Sequence, residues 1–266
     1  SAESTKATEE EKKQAVDEGR KLYDEAAKVY TELEQYYLQE HKKYPQTKLE
    51  PGTEQYEKRE QVRTGILDVR LRRAQVIYDL GKTYTEGSED YKKQITKAAE
   101  EYKGFFEKYN DRVAGLYAKL YEARCYRELG QPKKALEACT DLLDTMEDLD
   151  AEPFRVLRRK ILMKQIEAWS TAELNEQQKV LDSINEWLKE ARPDEETDPD
   201  GFMIRLRGAE IASEWLKTLK ADQKEYRLAK VAAEDYLAFV TRFPGPFATQ
   251  AREIAAKYGI KIPDWE

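Results

Sequence analysis

One apolar spacing recurs five times along this chain, and it restricts the folds open to it more than any other feature. Ala98, Ala99, Tyr102, Phe105, Phe106 and Tyr109 stand at offsets 0, 1, 4, 7, 8 and 11. The same offsets carry Ala135, Leu136, Cys139, Leu142, Leu143 and Met146, then Val180, Leu181, Ile184, Trp187, Leu188 and Ala191. They recur in Ala232, Ala233, Tyr236, Phe239, Val240 and Phe243. A fifth copy, Ala26, Ala27, Tyr30, Leu33 and Tyr37, holds the polar Glu34 at offset 8. Such offsets trace one stripe along an α-helix. Small residues lead each stripe and bulky ones follow, so each helix is expected to pack most closely at one end. A unit repeated at this scale predicts stacked helices rather than a single enzyme core.

A second kind of helix alternates with the first. Leu71, Ala74, Ile77 and Leu80-Gly81 fall on Leu120, Ala123, Tyr126 and Leu129-Gly130, and Leu206, Ala209, Ala212 and Leu216 form a similar stripe. Gly130-Gln131-Pro132 puts Gly past one helix and Pro at the start of the next, a connection short enough to force an antiparallel hairpin. The first helix is placed from about Thr8 to Tyr44, closed by Pro45. The second is placed up to Leu80, stopped by Gly81, and Ser88 is set to cap the third. Asp150 and Pro153 open a later pair on which Trp169 and Trp187 face inward. The stretch Arg192 to Gly201, RPDEETDPDG, reads as the longest acidic loop and the clearest division. No segment reads as a strand. The expected fold is all-α, a right-handed α-solenoid of antiparallel helix pairs. Residues 1–12 are expected to be a flexible linker and 13–266 a single repeat domain, with a subdivision near 192–201.

Composition narrows the function classes. The chain has 266 residues with 37% charged and 40% hydrophobic side chains and a formal net charge of −7. Binding phosphates needs a basic excess or a concentrated basic face, so nucleic acid is not the expected partner. The basic runs Arg70-Arg72-Arg73 and Arg155-Arg158-Arg159-Lys160 read as solvated helix faces. Cys125 and Cys139 fall on core stripes and read as buried free thiols, with a disulfide between neighbouring helices as the alternative. No apolar run reaches the roughly 20 residues that cross a bilayer. The chain starts at Ser1 without Met. An upstream export signal or lipid anchor would make it periplasmic or otherwise extracytoplasmic, and without one it would be cytoplasmic.

Catalytic chemistry finds little support in the residue types. His41 is the only histidine, placed among charges on an exposed part of the first helix. One histidine far from both cysteines makes no zinc site of the usual kind and no base for a nucleophile. Asp194-Glu195-Glu196, Asp198 and Asp200 lack the spacing of a calcium loop and read as surface solubility. Gly201 and Gly208 stand alone, so there is no phosphate-cradling loop. No catalytic residue, metal or cofactor is expected.

The run LYAKLYEARCYRELGQPKKALEACTDLL, from Leu116 to Leu143, resembles a tetratricopeptide repeat. Ala123, Tyr126, Gly130, Ala135, Cys139 and Leu142 stand where that motif has small, aromatic, Gly, Ala, bulky and apolar residues, and Pro244 falls at its closing Pro. Lys119 and Glu122 replace its usual Trp and Leu, and the copies starting at 98, 135, 180 and 232 are more widely spaced than the family's unit of about 34 residues. The chain thus resembles a divergent, bacterial-type member, and it is also similar to repeats of envelope-assembly proteins in which Phe-x-x-x-Tyr/Phe-Pro/Asn ends a helix. The resemblance implies a concave groove lined by first-helix positions: Arg72, Gln75, Tyr117, Tyr121, Arg124, Arg207 and Glu210. It implies a non-enzymatic scaffold that binds a protein or peptide segment with acidic or aromatic groups. The alternative is a ligand- or cell-wall-polymer-binding module of a larger envelope protein. The sequence names neither the partner nor the oligomeric state.

Overall fold

The computed structural model describes residues 8–45 and 47–263. Among these the chain is all-α, with eleven helices and no strand. It divides into two compact units, one ending at Gln131 and the other beginning at Pro132. The first unit holds α1 (Glu9–Lys42), α2 (Glu54–Lys82), α3 (Glu89–Tyr109) and α4 (Val113–Glu128). The second holds α5 (Pro132–Thr145), α6 (Glu152–Trp169), α7 (Gln177–Glu190), the single turn α8 (Pro193–Glu196), α9 (Pro199–Leu216), α10 (Lys224–Thr241) and α11 (Pro246–Tyr258). No helix is long and apolar enough to cross a membrane.

In the first unit each helix packs on the next, and α2 also touches α4. Contacts run in opposite directions along each pair: Arg20 reaches Thr83 while Glu34 meets Arg70, and Arg73 meets Glu101 while Lys82 reaches Tyr91. Consecutive helices are therefore antiparallel. The core is the stripe read from the sequence, Ala98, Ala99, Tyr102 and Phe105, packed against Ala74, Ile77, Tyr78, Ala118 and Cys125. The turn between α3 and α4 closes so tightly that a Cβ on Gly115 would lie 1.9 Å from the Tyr109 carbonyl oxygen, which leaves room only for glycine.

The second unit uses the other three copies of the stripe. Val180, Leu181 and Ile184 of α7 and Ala232, Ala233, Tyr236 and Val240 of α10 join Leu206, Ala209 and Ala212 of α9 in one core. Ala135, Cys139 and Leu142 of α5 are buried. Trp169 is buried and Trp187 half-buried against that core, as expected. Helix α6 packs on α5, α7 and α9, and α9 on α10 and α11. The 113–149 hairpin of the sequence reading joins α4 to α5 across the division between units and stays an expectation.

Three boundaries differ from the sequence reading. Residues 9–12 are helical, because Thr8 caps α1 and Glu11 closes a capping box with it; residues 1–7 of the expected linker lie outside the described residues. Gly81 does not stop α2, which runs to Lys82. Its missing side chain instead admits Ile95, whose Cδ1 would lie 2.7 Å from a Cβ there. The stretch 192–201 is not a dividing loop. Pro193 opens the turn α8, Asp198 caps α9 by accepting from the Gly201 N–H, and both belong to the second unit.

Candidate functional site

Most of the residues expected to line a groove lie on α2 and α4 of the first unit. Arg72 is exposed and pairs with Asp68 one turn back (2.8 Å). Asp68 first, then Tyr30 of α1, keep its guanidinium firmly charged. One turn on, Gln75 donates to Asp79 (2.7 Å) and accepts from the Tyr102 hydroxyl (3.3 Å). Tyr102 also links α2 to α4, since its ring lies 5.4 Å from that of Tyr121, and Tyr121 lies 6.2 Å from Tyr117. Tyr102 is buried, whereas Tyr117 and Tyr121 are half-buried. Arg124 lies over the face of Tyr78 at 4.0 Å. The structure thus joins Gln75, Tyr121 and Tyr117 through Tyr102. It sets Arg72 one turn from Gln75 and holds Arg124 on Tyr78. Arg207 and Glu210 belong to the second unit, where they pair with each other on α9 (3.1 Å).

The basic runs are not simply solvated, which corrects their reading as exposed faces. Of Arg70, Arg72 and Arg73, only Arg72 is exposed. Arg70 Nε donates to Glu34 Oε1 (2.6 Å) and its Nη1 to the Tyr109 hydroxyl (2.8 Å). Arg73 bonds Glu34 Oε2 and Glu101 Oε2 (2.5 Å for the latter). In the second unit Arg155 grips Glu195 with two bonds of 2.6 Å, and Arg159 donates to Glu195 Oε1 and Asp198 Oδ2, both at 2.8 Å. Lys160 meets Asp200 (2.9 Å), Arg205 of α9 bonds Glu196, and Arg158 caps the Met146 carbonyl (2.6 Å). Three cations of the α6 run, Arg155, Arg159 and Lys160, thus find their partners in the acidic stretch, at Glu195, Asp198 and Asp200. Glu195 is only 2% exposed and Arg159 only 3%. An acidic stretch read as surface solubility is in fact pinned into the fold, because α6 brings it matching cations. The one sequence signal of this kind was Glu34, the polar residue in the fifth stripe.

These buried groups are held in one charge state. The hydrogen bonds of Arg155, outweighing burial, lower Glu195 to about 2. Burial alone would raise Glu128, but Lys82, Tyr91 and Arg127 bring it down to about 2. Burial pushes the Cys125 thiol up to about 12, so it is no thiolate near neutrality. Neither cysteine is in a disulfide and both are buried, which decides between the two readings of the pair. Lys119 and Glu122, the departures from the repeat motif, are both buried, 3.1 Å apart.

His41 is half-buried rather than exposed. It lines a cleft of about 260 Å³ with Leu38 of α1, Arg63 and Ile66 of α2, Lys108 of α3 and Arg112. In the second unit a shallower groove between α6 and α7 is lined by Leu162, Trp169 and Trp187. Among the described residues no group of three or more His, Cys, Asp or Glu could hold a metal ion. Comparison with protein-family models, with curated proteins and with solved structures finds no match.

Proposed function

We propose that the chain is a non-enzymatic scaffold of the tetratricopeptide-like kind. The helices of each unit would form part of a right-handed array of antiparallel pairs, and the α2–α4 face would receive a protein or peptide segment. The carrying observation is the row Tyr102, Tyr121 and Tyr117, which ends in two half-buried tyrosines on α4, beside the α2 helix that carries the exposed Arg72. Tyr and Arg presented on a rigid surface are the residues that most often dominate protein interfaces, since large rings bury area at little entropic cost and guanidinium forks match carboxylates. The partner segment therefore carries aromatic and acidic side chains. Glu195 and Glu128 stay ionised and paired at neutral pH, so neither can shuttle protons there. The test is an array of immobilised peptides rich in Asp, Glu, Phe and Tyr. The native chain should select from it, and Arg72→Ala/Tyr121→Ala should lose at least about tenfold in affinity at unchanged helicity. Equal selection by the variant would remove the α2–α4 face from consideration.

A further inference from the structure

Helix α1 carries a second apolar line, half-buried at Gly19, Ala26 and Leu33 and open along its outer edge. Tyr23, Ala27, Tyr30, Glu34 and Tyr37 lie on the side turned to α2. One position back along the helix, Ala15, Gly19, Leu22, Ala26, Val29, Leu33 and Tyr36 follow one another in alternating steps of four and three residues. That spacing is the seam of a coiled coil. Of its large members Leu33 is half-buried, and three are strongly exposed: Leu22 at 66%, Val29 at 58% and Tyr36 at 54%. They stand seven residues apart, about 10 Å per step, so the line spans roughly 20 Å of the helix. Leu33 and Ala26 fill the gaps between them, which makes the surface contiguous rather than a scatter of single apolar residues.

The charges beside this seam identify what it accepts. Glu18, Glu25 and Glu32 recur every seven residues along its outer flank, all exposed and none with an ion-pair partner among the described residues. The other flank is the side packed on α2. A second copy of α1 docked antiparallel would set one glutamate line against the other. Docked parallel, the copy would need the flank that α2 occupies. An anionic membrane surface would be repelled by the same glutamates. We propose that the outer seam of α1 docks an amphipathic helix of another protein, with apolar residues at heptad spacing and Lys or Arg beside them. The proposal goes beyond the α2–α4 face and uses none of its residues, so the two stand or fall separately.

The probe is a fluorescent three-heptad peptide with Leu at the seam positions and Lys on its flanks, compared with one of the same core and Glu flanks. The full chain should bind the Lys peptide at least tenfold more tightly. Leu22→Ser/Val29→Ser/Tyr36→Ser leaves the net charge unchanged and should weaken that binding tenfold or more. Glu18→Gln/Glu25→Gln/Glu32→Gln keeps the apolar line and should weaken it severalfold while flattening its salt dependence; it carries the test if the serine variant loses helicity. Several results would overturn the proposal: no binding, equal affinity for the two peptides, or undiminished binding by both variants. A dimer that the serine variant abolishes, or binding to phosphatidylserine vesicles lost in that variant, would also overturn it.

Discussion

Both units hold a buried glutamate between two arginines of one helix, yet the two clamps do different work. In the first unit Glu34 is the only buried residue of α1, and Arg70 and Arg73 approach it from α2. The rest of that helix is half-buried or exposed, so its attachment depends on tyrosine edges and on this clamp. In the second unit Glu195 sits on a single turn between two longer helices, and its clamp ties a connection to an apolar core that is already continuous. The first clamp fastens a helix and the second shapes a connection. Ion pairs take the larger share of attachment where apolar burial is thin, although desolvation makes them a poorer source of net stability than apolar packing.

The largest effect expected from breaking this comparison is at Glu195. Glu195→Ala would leave Arg159, only 3% exposed, with Asp198 and Arg155 with Asp150, and should cost about 3–5 kcal/mol in denaturant unfolding because it breaks the most deeply buried ion pair of the clamp. A loss under 1 kcal/mol would mean that the clamp is not formed. Glu34→Ala should cost less, about 1–3 kcal/mol, because Arg70 and Arg73 are 18–19% exposed, against 3% for Arg159, and they keep Tyr109 and Glu101. Its effect should be local. Hydrogen exchange should show α1 amides losing protection while those of α9 and α10 keep theirs. Uniform loss across both units would contradict the distinction drawn between the clamps.

The smallest effect is on acid stability, and it should be common to both units. Glu128 in the first and Glu195 in the second are each lowered from 4.5 to about 2 in the folded chain. A carboxylate with a depressed folded value stabilises above the unfolded value and loses that contribution as pH falls through the folded one. The melting temperature should therefore decline as pH drops from about 4.5 towards 2, and the decline should be shallower in Glu195→Gln. A Glu195→Gln profile parallel to that of the native chain would show that this group does not carry the linkage.

Which parts of the molecule are legible in the sequence follows from the range of the interactions involved. The stripes at 98, 180 and 232 are buried over their leading positions, since helical periodicity depends only on neighbours within two turns, while their far ends are half-buried and Phe243 is exposed. The seam of α1 was equally present in the spacing of Leu22, Val29 and Tyr36, but a spacing alone does not say whether a neighbour covers it. Of the expected groove residues, Gln75, Tyr117 and Tyr121 meet through Tyr102, a residue that the sequence assigned only to the core.

The sequence by itself determined the helices, most of their ends and the sides they bury, because caps and apolar periods act within a few residues. Only the tertiary structure decided the fate of the charges. Glu34 meets Arg70 from 36 positions away and Arg155 meets Glu195 from 40, and no local pattern says which cation will neutralise which carboxylate. A charge is tolerable inside a fold only where its partner arrives, and that arrival is a property of the packed helices.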